Sequence, residues 1–386
     1  MEGGGPLGDL FRNLARMLTS QGPINWELAR QLAQWTATEG AAEVNPDPLS
    51  RVRLEELLRV AELHVTETTG LPTTSGGGLL SLRAVPRSEW ALKTLQAWKP
   101  LLEALATSLG RIAAEPETPP EDAPFDPMAA LLGNLPQAMA PLLFGMQVGT
   151  MVGHLANRAL GQYDQPIPRP PGDELLMVPE AIDAFASDWS LQADDVRLWV
   201  CLHEVTHHAV LSRPQVRARL NELMTAYVNA FEPDSAALEE RLAAFDPTDM
   251  AALQQTFANP EVLLGDMETE AQRRLMVQLR ALLSAVVGYV DHVMDTVGHR
   301  LIASYGPLTE ALRRRRLEEG EGTRFVGRML GVSLDAGAYE QGTAFVTGVL
   351  ERAGEEGLAR LWKSTKELPT PAEIAAPGLW LARIDL

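Results

Sequence analysis

Residues 194–210 read DDVRLWVCLHEVTHHAV, and this stretch decides how the chain is read. Asp194 and Asp195 stand where a helix should begin, because carboxylates complement the free N–H groups of a first turn. Leu198, Leu202 and Val205 then recur at three- and four-residue spacing and give the helix an apolar side. Inside it lies His203-Glu204-Val205-Thr206-His207, the pattern H-E-x-x-H. Histidines four apart project from adjacent turns of one face, so both imidazoles can reach one Zn²⁺ at about 2.0–2.1 Å. Glu204 is then the expected general base: it takes a proton from a metal-bound water whose pKa the metal lowers from about 15.7 towards about 7. The plainer alternative is a helix with two partly buried histidines bonded to neighbouring carboxylates.

A catalytic zinc takes three protein ligands and leaves the fourth position to water. The segment 279–297, LRALLSAVVGYVDHVMDTV, is the next place to look, because it carries Asp291, His292 and Asp295 in an apolar setting. Ser284, Gly288, Asp291 and Asp295 fall along one helical face, and Gly288 is expected to let this helix approach the motif helix closely. Asp291 and Asp295 could ligate metal or orient His203 or His207 as hydrogen-bond acceptors; the plainer alternative pairs both with arginines. Tyr289, Tyr339 and His299 are candidate donors to a tetrahedral oxyanion, against the simpler reading that each is an ordinary core or surface residue.

Working outward, apolar residues recur with helical spacing through most long segments, so the fold is expected to be mainly α with at most a short strand or small sheet. Residues 6–36 read as two short amphipathic helices, and 49–64 as a helix with Leu54, Leu58 and Ala61 on its apolar stripe. A Gly-rich turn at 71–80 precedes a helix over 87–109, in which Pro100 should cause a break or kink. The Pro- and acid-rich stretch 113–127 cannot bury enough apolar surface to order itself and reads as a linker. It separates an N-terminal helical region, 1–112, from a helical domain, 128–386. Gly145, Gly149 and Gly153 stand four apart, which suits close packing of one helix on another. After a Pro-rich connector at 162–171, LLMV at 175–178 is the best strand candidate. Arg313, Arg314, Arg315 and Arg316 are followed by Glu318, Glu319 and Glu321, which reads as a charge-compensated exposed helix end rather than an anion site.

The chain has 386 residues, with 33 Lys and Arg against 51 Asp and Glu, and its net charge of −18 disfavours nucleic acid as a partner. A single cysteine, Cys201, cannot form an internal disulfide and reads as a small buried side chain. The first residues carry Glu2 and Asp9 with no unbroken apolar core after them, so no export signal and a cytoplasmic location are expected. The apolar stretch 135–160 is interrupted by Pro136, Pro141, His154 and Arg158, which makes it a buried helix and excludes a membrane partner from the reading.

The segments ELLMVPEAIDAF, DDVRLWVCLHEVTHHAV, VVGYVDHVMDTVG and LGVSLDAGAYEQGTAFV, then GLARLWKSTKELPTPAEIAAPGLWLARI, resemble a zincin-like family of uncharacterised bacterial hydrolases and zinc-dependent metallopeptidases. One branch of that family is associated with deazaflavin coenzyme biosynthesis. The resemblance runs from about Leu54 to Ile384 and implies a mostly helical zincin-like fold, zinc at His203 and His207, and Glu204 as base. It implies no particular substrate beyond a peptide or small molecule. Members carry an E-G-H-A-D-like segment whose glutamate would be the third ligand, and here the aligned residues are Val287-Gly288-Tyr289-Val290-Asp291. Either Asp291, His292 or another carboxylate such as Glu268, Glu270 or Glu340 completes the site, or the site has lost hydrolysis. The two functions to separate are therefore a zinc-dependent hydrolase acting on peptide bonds and a degenerate zincin that serves as a binding or assembly scaffold. A third, an enzyme of coenzyme metabolism, rests on the family alone.

Overall fold

Helix starts in this chain are written in its side chains. Asn25 Oδ1 accepts from the Leu28 N–H at 3.1 Å, and Asp47 Oδ2 accepts from the Ser50 N–H at 2.9 Å. Each satisfies a first-turn donor that has no partner within its own helix. The helices they open are α1, Trp26–Thr38, and α2, Pro48–Thr69. The structure is a computed structural model that describes residues 22–112, 127–231, 269–318 and 320–385. The first helix expected within 6–36, nearly all of the linker expected at 113–127, and Glu268 lie outside the described residues.

Strand β1, Ser81–Ala84, leads into α3, Arg87–Ile112, and α4 spans Pro127–Arg158. Strand β2, Glu174–Met177, is followed by α5, Pro179–Asp188, then the motif helix α6, Ala193–Leu211, and α7, Pro214–Asn229. Next come α8, Glu270–Leu301, α9, Tyr305–Leu317, α10, Glu321–Leu330, and α11, Ala336–Leu358. The chain closes with a short 3₁₀ turn, Thr365–Glu367, and two small helices, α12, Pro371–Ala375, and α13, Pro377–Ile384. The fold is thus mainly helical with one small parallel sheet, in which Ser81 faces Glu174 and Ala84 faces Met177. No helix among the described residues is long and apolar enough to cross a membrane.

Two local expectations change in three dimensions. Of the break or kink expected at Pro100, the break is absent: helix α3 runs through it, with buried Trp90, Leu95 and Trp98 before it and Leu102 and Leu105 after it anchoring both halves in one core. Gly288 does not meet the motif helix: a Cβ there would lie 2.3 Å from the Gly342 carbonyl carbon, so α8 crosses α11 at this point. The stripe of Gly145, Gly149 and Gly153 behaves as read, since Cβ atoms there would strike Asn25, Ala29 and Thr36 of α1 or its cap. Helix α6 packs against α2, α5 and α8 and buries Val200, Cys201, Leu202 and Val205, so the motif sits at the centre of the fold.

The Gly288–Gly342 crossing leaves no room for a methyl group. Gly288→Ala should lower stability in urea denaturation by about 1–3 kcal/mol, the usual cost of overpacking. Gly306→Ala, where a Cβ meets open space, should leave the midpoint unchanged or raise it.

Candidate functional site

The two motif histidines sit one helical turn apart, as their spacing requires. Their ring centroids are 4.3 Å apart. Trp199, one turn earlier, stacks on His203 at 4.8 Å, and Tyr163 stacks on His207 at 6.1 Å. His207 Nδ1 lies 3.1 Å from the His203 carbonyl oxygen, so the tautomer with Nδ1–H donates to it and leaves the Nε2 lone pair free. Burial, and next to it the charge of Arg316, brings the His203 pKa down to about 4. His207 is lowered well below its ordinary value by burial and by His203. Both imidazoles are therefore neutral at pH 7.

Glu204 is 1% exposed, and a carboxylate so deeply buried needs donors. The loop after α4 supplies them. Glu204 Oε2 accepts from the Tyr163 N–H at 2.8 Å, and Oε1 lies 3.2 Å from His203 Nδ1. The approach is close enough that a Cβ at Gly161 would fall 2.4 Å from the Glu204 carboxyl carbon, which is why glycine stands there. Burial, with Asp164 acting in the same sense, pushes the Glu204 pKa up to about 8, and the backbone hydrogen bonds of Tyr163 and Gln162 and the charge of Arg169 oppose it. Arg169 is itself buried between Trp90 and Trp98 and donates to Thr94 Oγ1 and to the Gln162 carbonyl.

A cavity of about 60 Å³ lies over the imidazoles. Tyr163, Trp199, His203 and His207 form one side of it, and Val287 and Asp291, one turn apart on α8, form another. Asp164, Arg315, Arg316 and Tyr339 complete its polar wall. The arginine run is not the uniformly exposed helix end that its sequence suggested. Successive helical residues turn by about 100°, so neighbouring pairs fall on opposite halves of α9. Arg313 and Arg314 are exposed and pair with Glu310, whereas Arg315 and Arg316 turn inward. Arg316 grips both oxygens of Asp291 at 3.1 and 3.3 Å and lies 4.7 Å from the Tyr339 ring centroid; Arg315 pairs with Asp164 at 3.3 Å.

Of the sequence candidates, His203, His207, Asp291 and Tyr339 line this cavity together, while Glu204 lies beneath it. The others are engaged elsewhere. His292 Nε2 faces Glu355 at 3.2 Å, Asp295 accepts from the Tyr305 hydroxyl at 2.8 Å, and Tyr289 packs edge-on against Trp362. For Tyr289 and His292 the reason is phase, since they stand one or two residues from Val287 and Asp291, which share the face turned to the cavity; Asp295 shares that face but lies a turn further along, beyond the cavity. His299 packs on Tyr305, Glu270 pairs with Arg274 at the start of α8, and Glu340 is exposed. Tyr163, Asp164, Trp199, Arg315 and Arg316 were missed by the sequence reading. For the arginines the helical phase of the run was the available signal.

These residues do not fit a catalytic zinc with three protein ligands. Among the described residues, no group of three or more His, Cys, Asp or Glu side chains is placed to hold one metal ion. Val287 contributes only methyl groups to the wall, and both Asp291 oxygens are taken by Arg316. The guanidinium of Arg316 also acts on both imidazoles, disfavouring positive charge on each.

Comparison with known proteins agrees with the fold. The chain belongs to the zincin-like metallopeptidase family, which it matches over residues 24–381. It is similar to a solved structure described as a "putative hydrolase with a novel fold" from Chloroflexus aurantiacus, with 27% identity and a TM-score of 0.61, covering 94% of this chain and 99% of that one. No curated protein matches it.

The wall of the cavity also tests itself through Tyr163, whose hydroxyl shares a hydrogen bond of 3.1 Å with buried His208 Nδ1. Tyr163→Phe should strand that nitrogen and reduce stability by about 1–3 kcal/mol in urea denaturation. An unchanged midpoint would show that water replaces the hydroxyl.

Proposed function

We propose that this chain is a degenerate zincin: a family member that keeps the helix geometry and pocket of the metallopeptidases and uses them to bind a ligand without zinc-dependent hydrolysis. The observation that carries this reading is the pairing of Val287 with the Arg316–Asp291 ion pair on the cavity wall. A side chain with no donor atom stands where the family's glutamate would be. A fixed guanidinium stands beside the two imidazoles, and the one carboxylate on that face of α8 is committed to it. A zinc-dependent hydrolase acting on peptide bonds is the second reading. It is favoured by the intact His203-Glu204-Val205-Thr206-His207 segment and by the contact of His203 with Glu204.

Metal content separates the two. Protein purified without added zinc should hold far less than one zinc per chain by elemental analysis. Val287→Glu should raise zinc affinity about tenfold or more by supplying a third donor, and adding His203→Ala should abolish the gain. On a peptide-library digest, wild type and Glu204→Gln should be indistinguishable. Stoichiometric zinc in the wild type, with cleavage lost about 10²-fold or more in Glu204→Gln, would establish the hydrolase instead.

A further inference from the structure

A second cavity of about 90 Å³ adjoins the first and shares Asp164, Arg315, Arg316, Leu334 and Tyr339 with it. Its distinguishing residue is Arg158, in the last turn of α4. The Arg158 Nη2 donates to the Arg315 carbonyl at 2.8 Å, and the Arg315 guanidinium donates back to the Arg158 carbonyl. This reciprocal contact brings two half-buried guanidinium groups together, and repulsion from Arg315 adds to burial in lowering the Arg158 pKa. Among the described residues Arg158 forms no ion pair with a carboxylate.

The charges around this chamber are paired unequally: Arg315 and Arg316 each have a carboxylate in contact, whereas Glu318 and Asp164 act on Arg158 only at longer range. Arg158, Arg315 and Arg316 line it against Asp164 and Glu318. Asp164 is already shared between the Leu160 N–H and Arg315, Glu318 is exposed, and Arg316 is held from the other cavity by Asp291. In a chain of net charge −18, a partly buried concentration of cations is the reverse of the background. Thr323 of α10 adds a hydroxyl to the same wall, and Gly320 at the start of that helix provides no side-chain cap for its first-turn N–H groups. Guanidinium groups and a hydroxyl-bearing side chain around a small cavity form a donor set that recognises a planar or tetrahedral oxyanion.

We propose that the Arg158–Arg315–Arg316 chamber binds the oxyanion of a small ligand, a carboxylate or a phosphate group, whose remaining part enters the histidine cavity. This deepens the ligand-binding reading and rests on it for the second half of the ligand. The histidine cavity is narrow, with Trp199, Val287 and Leu312 beside the two imidazoles on part of its wall and Asp164, Asp291, Arg315 and Arg316 on the rest, so the part that enters it is short. The ligand class is therefore a small organic acid or a phosphate monoester.

The test is isothermal titration of the full chain in EDTA with inorganic phosphate, and separately with butyrate and its neutral counterpart butyramide. At least one anion should saturate below tens of millimolar, and butyramide should not; the arm that binds distinguishes phosphate from carboxylate. Arg158→Gln should weaken that binding about tenfold or more, the loss of one charge-assisted contact. Arg158→Lys should fall between Arg158→Gln and wild type, and Arg313→Gln, on the exposed half of α9, should bind as wild type does. Circular dichroism and melting of each variant confirm folding. Binding of neither anion, equal binding of butyramide, or equal loss in Arg158→Gln and Arg313→Gln would overturn the chamber. Because EDTA removes metal from every arm, that failure leaves the zinc assay to decide the earlier reading on its own.

Discussion

A buried carboxylate sets the geometry of this protein. Glu204 projects from the motif helix with almost no exposure, and although burial favours its protonated form, its oxygens still require hydrogen-bond partners there. The chain meets that demand with backbone rather than with side chains, by bringing Gly161, Gln162 and Tyr163 against it. That loop is in turn tied down: the Trp90 indole N–H donates to the Gly161 carbonyl at 2.8 Å, and the Val178 N–H donates to the Leu160 carbonyl at 3.0 Å. Once the loop is fixed, the Tyr163 ring falls against His207, Asp164 falls against Arg315, and two walls of the pocket are in place.

The third wall turns on charge. A zincin site concentrates neutral imidazoles and carboxylates because a dication must be stabilised between them. Here the imidazoles are neutral, and apart from Glu204 the carboxylates on the cavity wall are already paired, Asp291 with Arg316 and Asp164 with Arg315. The cation in this pocket is covalently part of the protein. A guanidinium offers donors and no acceptors, so what it leaves unsatisfied calls for an anion, whereas a metal site calls for electron pairs. The scaffold that positions two histidines on α6 does not depend on what stands opposite them on α8.

Features written within one helix or one turn were legible in the sequence: the motif helix, the buried Cys201, the glycine stripe of α4 and strand β2 all follow from local spacing and residue type. What was not legible depends on residues far apart in the chain. Strand β1 is four residues, SLRA, with no pattern of its own, and it becomes a strand only because Met177 and its neighbours offer an edge to pair with. The partner of Gly288 could not be read from α8, because any close-packed helix would suit a glycine, and it proved to be α11. Aspartates and arginines on the pocket wall pair across 25 residues in one case and 151 in the other. Asp291 was found because it is one of the few ligand-type side chains in an otherwise apolar helical segment. Arg315 and Arg316 were hidden by a run in which every residue looks alike until helical phase divides them.

The pairing of β1 with β2 also governs when the pocket can exist during folding. The helices can form from local contacts within microseconds, but Ser81 meets Glu174 only after a loop of about ninety residues has closed. Glu204 receives the Tyr163 N–H from the loop that lies just before β2, beside that late contact. Until then the motif helix carries a carboxylate with no donors from that loop, which discourages its burial. Burial of Glu204 and closure of the histidine cavity are thereby tied to the same segment that leads into β2.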